Sequence, residues 1–493
     1  MNKRMKLLVV AAVSVFTVVT AVPALALENE FHGMFRLRGF ISNFDDGGGG
    51  SQFSGDPKKP GSLNLNNPRT NNYVEERARL MYIAKANDDL KLVTHFEIDS
   101  RWGDNSYNSN GTSRNNGGGI GADQTNLETK NVYLDFNIPS TPVNVKLGLQ
   151  GYWNDGYKGI ILGDDVAGLS ATANVGNGSA RFAYFRLDDA TTGGSYIANG
   201  SGDATTSVID ATHPAVSTSV VNATPGNRTR DFLTLGGKYK ISQNLKLGAD
   251  YVLLYSDVLR NSQGRTNVHM FGVNGEYIVG PAVVDGFFVY QAGKLGRAAI
   301  GASGNDQTIN AFAASLGGRV KVGPGTARVN GLYLSGDGNP NNGDRNDFQT
   351  IMERGATTLA HGFAVSEMVL MLDNKYSLTT AQCVVKDLNN KAQGFVGGFL
   401  GYDLNVDKFF INSNVGFGAV ARDNGYGVAP HQSKFLGTEF NTQVGYKMYD
   451  NMSVSVIAAY MILGDYFKGQ AVDKPGQDPA NPYTTRVMVE YAF

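Results

Sequence analysis

The chain has 493 residues, with 62 Gly, 26 Phe and 23 Tyr but only 15 Pro, and 43 basic side chains against 44 acidic ones. That balance argues against a nucleic-acid partner, and the single cysteine, Cys383, excludes an intrachain disulfide framework, a thiolate metal cluster and a Cys-x-x-Cys-His haem attachment. The mean hydropathy is −0.22, and no stretch after the N-terminal segment approaches the roughly 18 apolar residues of a spanning helix.

The N-terminal segment reads as a targeting signal. Lys3, Arg4 and Lys6 form a positive start, Leu7 to Val19 is almost unbroken apolar, and Ala24-Leu25-Ala26 has the small-x-small cleavage pattern. The apolar run is too short for a membrane anchor, which needs about 20 residues. Residues 1–26 are therefore expected to be a cleaved signal peptide and 27–493 a single domain. Removing Lys3, Arg4 and Lys6 from the 43 basic residues leaves 40 against 44 acidic, a mature charge of about −4.

From Phe31 onward, alternating strand-like segments of about ten residues follow one another to Phe493. The expected strands are 30–42, 73–85, 90–102, 126–137, 143–153, 166–174, 180–187, 231–240 and 245–255. The second half continues with 267–278, 283–292, 308–322, 326–335, 392–402, 408–421, 435–447, 452–464 and 484–493. Short turns such as Asn87-Asp88-Asp89, Gly176-Asn177-Gly178, Gly280-Pro281, Gly323-Pro324-Gly325 and Asn405-Val406-Asp407 alternate with long polar loops. The count is about 18, or 16 if 166–174 and 180–187 are a loop hairpin. Either number is even, as single-chain bacterial barrels require.

The alternation is explicit. Leu90, Leu92, Thr94, Phe96 and Ile98 share one face, and Lys91, Val93, His95, Glu97, Asp99 and Arg101 share the other. A soluble sandwich also alternates. Aromatics before the short turns (Phe136, Tyr239, Tyr277, Tyr402, Tyr446), with Trp102 and Trp153 at opposite strand ends, describe two membrane girdles instead. The fold expected is all-β: a closed antiparallel transmembrane β-barrel with short periplasmic turns and long extracellular loops.

The mature chain resembles Gram-negative outer-membrane porins in architecture and in a last strand that ends on an aromatic residue. Within them it looks most like the 18-stranded alginate-export and putative-porin group. That resemblance rests on Arg36-Leu37-Arg38, on Glu76-Arg77-Ala78-Arg79-Leu80 and on the hairpin Asn87-Asp88-Asp89-Leu90-Lys91-Leu92. It implies outer-membrane lipid around the barrel, an assembly machinery that reads the last strand, and a homo-oligomer as one state open to the chain.

Function is expected in the lumen, since about 18 strands leave an aqueous bore. Arg36, Arg38, Arg77, Arg79, Lys91, His95, Glu97, Asp99 and Arg101 share one wall, joined by Arg486 and Glu490 from the last strand. Two readings stay open. The arginines favour anions in transit, or they pair with Glu75, Glu97, Asp99 and Glu128 and stiffen the wall. The longest loop, 336–391, carries an apolar stretch from Phe363 to Leu372 and is the candidate constriction, with a cap over the mouth as the alternative.

Asp337, Asn339, Asn341 and Asp344 space oxygens as a calcium loop does, but the downstream bidentate Glu is missing, and a solvated turn is the competing reading. No other metal site and no cofactor is expected. Gly47 to Gly50 and Gly117 to Gly119 precede no helix and no Gly-Lys-Ser/Thr, so they read as loop tips. Scattered histidines, including His213, His361 and His431, give no catalytic constellation, and no enzyme is expected. The sequence thus points to a passive channel for ions or small polar solutes, with a leaning to anions. The alternatives are an exporter of an anionic, alginate-like polysaccharide and a structural sheath around a partner such as a cytochrome.

Overall fold

The computed structural model describes residues 28–44, 66–103, 118–120, 127–189, 195–197, 217–219, 229–256, 265–296, 306–339, 343–351, 363–372, 383–385, 388–390, 392–424, 433–471 and 473–493. The expected signal peptide and the Gly47 to Gly50 tip lie outside them. Among the described residues, eighteen long antiparallel strands form one closed barrel. The first nine are β1 (Glu28–Ser42), β2 (Asn71–Asn87), β3 (Leu90–Arg101), β4 (Glu128–Asn137), β5 (Val143–Trp153), β6 (Gly163–Val175), β7 (Gly178–Asp189), β8 (Thr229–Lys240) and β9 (Leu245–Ser256). The others are β10 (Thr266–Val279), β11 (Ala282–Leu295), β12 (Gln307–Val322), β13 (Gly325–Leu334), β14 (Phe395–Val406), β15 (Phe409–Ala419), β16 (Phe435–Tyr449), β17 (Met452–Leu463) and β18 (Tyr483–Ala492).

Consecutive strands pair, and β18 returns to β1 with Met34 opposite Ala492 and Ser42 opposite Thr484. Main-chain hydrogen bonds of 2.8 and 3.0 Å between Gly33 and Phe493 complete the closure. Such closure is the only way a sheet can leave no unpaired edge in lipid. The segments 166–174 and 180–187 are β6 and β7 of the wall, each paired on both sides, so the count is 18 and not 16.

One end of the barrel carries tight hairpins and both strand termini. Gly280 (φ 57°) and Asp407 (φ 52°) occupy the left-handed region at two of these turns, and Asp is among the few residues besides Gly that tolerate it. The other end carries connections ranging from residues 154–162 to 335–394.

The wall inverts the pattern of a soluble protein. Leu316, Phe271, Leu400, Phe440 and Val487 are half or more exposed on the outer face, whereas Arg38, Gln291, Glu439 and Arg486 are fully buried inside. An apolar belt of this size outside a polar interior fits a lipid surround. No helix among the described residues is long and apolar enough to cross a membrane.

The interior is not polar throughout. Toward the loop end, the inward positions of β7 to β12 are Phe185, Phe232, Leu254, Met270, Val289 and Ile309, all fully buried. They belong to one cluster with Tyr157 and Ile160 to Leu162 from the β5–β6 connection and with Phe348, Phe363 and Met368 to Leu372 from the β13–β14 connection. The described parts of both connections fold inward, so these strands face protein on the inside and lipid on the outside.

Candidate functional site

The β18–β1–β2–β3 wall places the arginines as the alternation predicts. Register sets Arg36 opposite Arg77 and Glu490, Arg38 opposite Glu75, and Arg77 opposite Asp99. Arg77 grips Asp99 bidentately, Nε to Oδ1 at 2.6 Å and Nη2 to Oδ2 at 2.5 Å, and its Nη2 lies 3.0 Å from Glu97. Fork-to-carboxylate geometry of this kind gives the strongest ion pairs. Arg79 Nε reaches Glu97 Oε2 at 2.5 Å, Arg38 Nη2 reaches Glu75 Oε1 at 3.1 Å, and Arg36 stands 3.9 Å from Glu490. Lys91 faces Asp135 at 3.4 Å, and His95 Nδ1 meets Asn131 at 3.3 Å. Arg101 stands across from Glu75 at the end of β3.

This wall is largely closed to water. Arg38 and Arg486 are fully buried, and their guanidinium carbons lie 5.2 and 5.1 Å from the ring centre of Phe40, which stacks on Tyr73 at 4.5 Å. Phe40 was not among the expected site residues, although its position two residues beyond Arg38 puts it on the same face.

The opposite wall is finished by the two inward connections. In the first, a 3-10 turn over Asp155–Tyr157 aims Tyr157 and Lys158 across the lumen. The Tyr157 hydroxyl donates to Asp250 Oδ2 at 3.0 Å, and Asp250 Oδ1 accepts from Arg181 at 2.8 Å. Gly272 makes room for that ring: a Cβ there would sit 2.4 Å from the hydroxyl. Lys158 Nζ lies 2.5 Å from Asp285, 3.3 Å from Ser315 Oγ and 3.2 Å from Asn330 Oδ1. Burial and the adjacent Asp250 carboxylate push the Tyr157 phenol above its usual value. Burial also pushes the Asp155 carboxyl up, but the Lys238 ammonium, hydrogen-bonded to it at 3.1 Å, more than offsets this and holds it below the ordinary value.

The second connection contains the expected constriction segment. Phe363 is fully buried, with Lys158 Nζ 5.6 Å from its ring centre, so the two connections meet inside the barrel. Three successive backbone N–H groups, of Val369, Leu370 and Met371, donate to the Glu439 carboxylate at 2.7, 3.0 and 2.6 Å. Asn441 adds a fourth donor to Glu439 at 2.9 Å and also donates to the Glu367 carbonyl at 3.0 Å. Between the first connection and the wall lies a space of about 470 Å³ lined by both charge signs, among them Asp155, Lys158, Glu276, Asp285, Arg319 and Arg328.

Glu439 and Lys158 were not read as site residues. Glu439 was visible only as one member of a polar strand face, and its partners are main-chain groups. Of the candidate calcium loop, Asp337 accepts from the Asn339 and Asn346 main-chain amides at 2.7 and 2.9 Å, and Asn341 lies outside the described residues. Among the described residues no group of three or more His, Cys, Asp or Glu is placed to hold a metal ion.

No family model and no curated protein sequence matches the chain. Its fold does match solved structures. Pseudomonas aeruginosa OccK8 (OprE) aligns at a TM-score of 0.52 and 11% identity over 94% of this chain and 98% of that one. Acinetobacter baumannii OccAB1 gives 0.51 and 13% over 94% and 96%. P. aeruginosa OccK2 (OpdF), in complex with glucuronate, gives 0.50 and 11% over 94% and 96%. The chain therefore has the 18-strand outer-membrane porin fold. The likeness gives no specific support to the alginate-export group.

Proposed function

We propose that the chain is a passive outer-membrane channel for small polar solutes, with a leaning toward anions. The observation that carries this reading is the pair of inward segments, 154–162 and 363–372, fastened to Asp250, Asp285 and Glu439 of the wall. A bare barrel of this strand number encloses a wide bore; with the segments inside, a solute passes at close range to Lys158 and its charged neighbours. A polysaccharide exporter or a sheath around a cytochrome needs a clear bore, so the same segments favour small cargo.

The leaning to anions rests on the other wall. Arg36, Arg38, Arg77, Arg79, Arg101 and Arg486 share it with Glu75, Glu97, Asp99 and Glu490, a surplus of two positive charges, and Arg79 and Arg101 are the arginines there that stay partly open to the lumen. OccK2 binds glucuronate, a carboxylated sugar, which makes glucuronate the first solute to test here. Reconstitution into a planar bilayer under a salt gradient is the test, with an anion-selective reversal potential and reduced current on adding glucuronate as the expected results. Absence of conductance overturns the channel; a cation-selective sign overturns the leaning alone.

A further inference from the structure

We infer that Asn330 is a positioning residue that joins the two inward segments, 154–162 and 363–372, into one constriction that docks and opens as a unit. Its seat is a single cross-strand rung. Register carries one inward row from β11 to β16 through Asp285, Gly317, Asn330, Phe399, Gly416 and Glu439. Their chain neighbours Leu316, Val329, Leu400, Phe417 and Phe440 are half or more exposed on the outer face, which fixes the direction of the row. With strands about 4.8 Å apart, six positions span roughly 24 Å of wall.

Every position of the row meets one segment or the other. Asp285 holds Lys158, the Phe399 ring lies 6.0 Å from that of Phe363, and Glu439 takes the three amides of 369–371. The two glycines are recesses. A Cβ at Gly317 would lie 2.3 Å from Asn330 Oδ1 and 2.9 Å from Lys158 Nζ, and one at Gly416 would lie 2.4 Å from Met368 Sδ. Neither glycine has a positive φ, so both positions demand room and not an unusual backbone.

Asn330 serves both segments at once. Its Oδ1 accepts from Lys158 Nζ at 3.2 Å, and its Nδ2 donates to the Val365 carbonyl at 3.2 Å. An ammonium only donates and a carbonyl only accepts, so the bridge needs an acceptor and a donor on one short side chain, as a carboxamide has. The cation also polarises the amide and strengthens the N–H on its far side. Lys158 has three N–H groups and three oxygens within 3.3 Å, from Asp285, Asn330 and Ser315. Its donors are thus filled by the wall, and the Phe363 ring, centred 5.6 Å from Nζ, closes the joint from the other segment. When either segment leaves, the other loses the Lys158–Phe363 contact, and half of the bridging amide loses its partner. Each segment therefore stabilises the docking of the other.

The consequence for conduction rests on the channel reading proposed above, but docking is measured without it. The test is hydroxyl-radical labelling of the buried Tyr157 and Phe363 rings in the detergent-solubilised full-length barrel. Asn330→Leu, close in size but with neither donor nor acceptor, is expected to raise labelling of both rings about tenfold, the loss of one charge-assisted hydrogen bond. Lys158→Met is expected to expose Phe363 as well as Tyr157, and Glu439→Ala to expose Tyr157 as well as Phe363. An unchanged gel shift of the unboiled protein shows that each variant remains a closed barrel, and Asn330→Leu should then pass a larger single-channel current than wild type. Exposure of Tyr157 alone in Lys158→Met and of Phe363 alone in Glu439→Ala overturns the joint, since two independent flaps behave that way. So does wild-type labelling of both rings in Asn330→Leu. Labelling as expected in a barrel that passes no current upholds the joint and overturns the channel reading alone.

Discussion

The two sides of the barrel interior solve the same problem in different ways. On β18–β1–β2–β3, polar side chains find partners on adjacent strands: Arg77 with Asp99 and Glu97, Arg79 with Glu97, Arg38 with Glu75. On the side formed by β8 to β16, the wall is completed by chain inserted from the loop end, and its charged groups hold that insert: Asp285 holds Lys158 and Glu439 holds residues 369–371. The first arrangement belongs to the wall. The second can be removed with the eighteen-strand ladder intact, at the loss only of the short pairing of Asp344–Arg345 beside β12. The arginine side is therefore expected to govern stability, and the insert side to govern the bore.

The sharpest way to break this comparison is Arg77→Ala. It strands Asp99 as a buried carboxylate and leaves Glu97 to Arg79 alone, and removing one partner of a buried pair costs about 3–5 kcal/mol. The variant should lose its barrel gel shift at clearly lower temperature or urea concentration than wild type, with the conductance of surviving barrels little changed. An unchanged unfolding midpoint would show that the pairs are solvated and that this wall is not what holds the barrel.

Glu439→Ala tests the other side. Three buried N–H groups lose their acceptor, each worth about 1–3 kcal/mol while it stays buried. The segment 363–372 can escape that cost by leaving the lumen for water, so the expected result is higher single-channel conductance and faster proteolysis of the loop, with a near-normal unfolding midpoint. A conductance equal to wild type would place the segment outside the solute path.

How much of this was legible follows from where each partner sits in the chain. Strands and turns were readable because alternation has a period of two and the turns use Gly at 176, 280 and 323 and Asp at 407 where φ turns positive. The arginine pairs were readable too, since Glu75, Glu97 and Asp99 lie on strands next to their partners. Lys158 and Glu439 were not. A side chain that binds main-chain N–H groups some seventy residues away leaves no complementary residue to find. The inward face of β9 was obscured for another reason: Tyr251, Val252, Leu253 and Leu254 are apolar on both faces, because one meets lipid and the other meets the insert.

The smallest expected effect concerns acid, and it sharpens the comparison within the insert itself. Arg345 holds Asp347 through 2.7 Å bonds to both oxygens, and Gln349 closes a main-chain exchange with Gln291 of β11 at 2.7 and 2.9 Å. Burial pushes the Asp347 carboxyl up, but Arg345 and then the Asn389 and Gln349 amides more than offset it, so its value lies below the ordinary one. A depressed carboxyl contributes stability that is complete above the unfolded value of about 3.9 and is lost as pH falls through the folded value. Residues 343–351 should thus stay docked at neutral pH and loosen only below about pH 4, seen as hydroxyl-radical labelling of the buried Phe348 that rises in acid while the barrel keeps its gel shift. Asp347→Asn should flatten that dependence by being equally labelled at pH 3 and pH 7. If wild type and variant are labelled alike at both values, the docking of this segment depends on the Gln291–Gln349 exchange rather than on the ion pair.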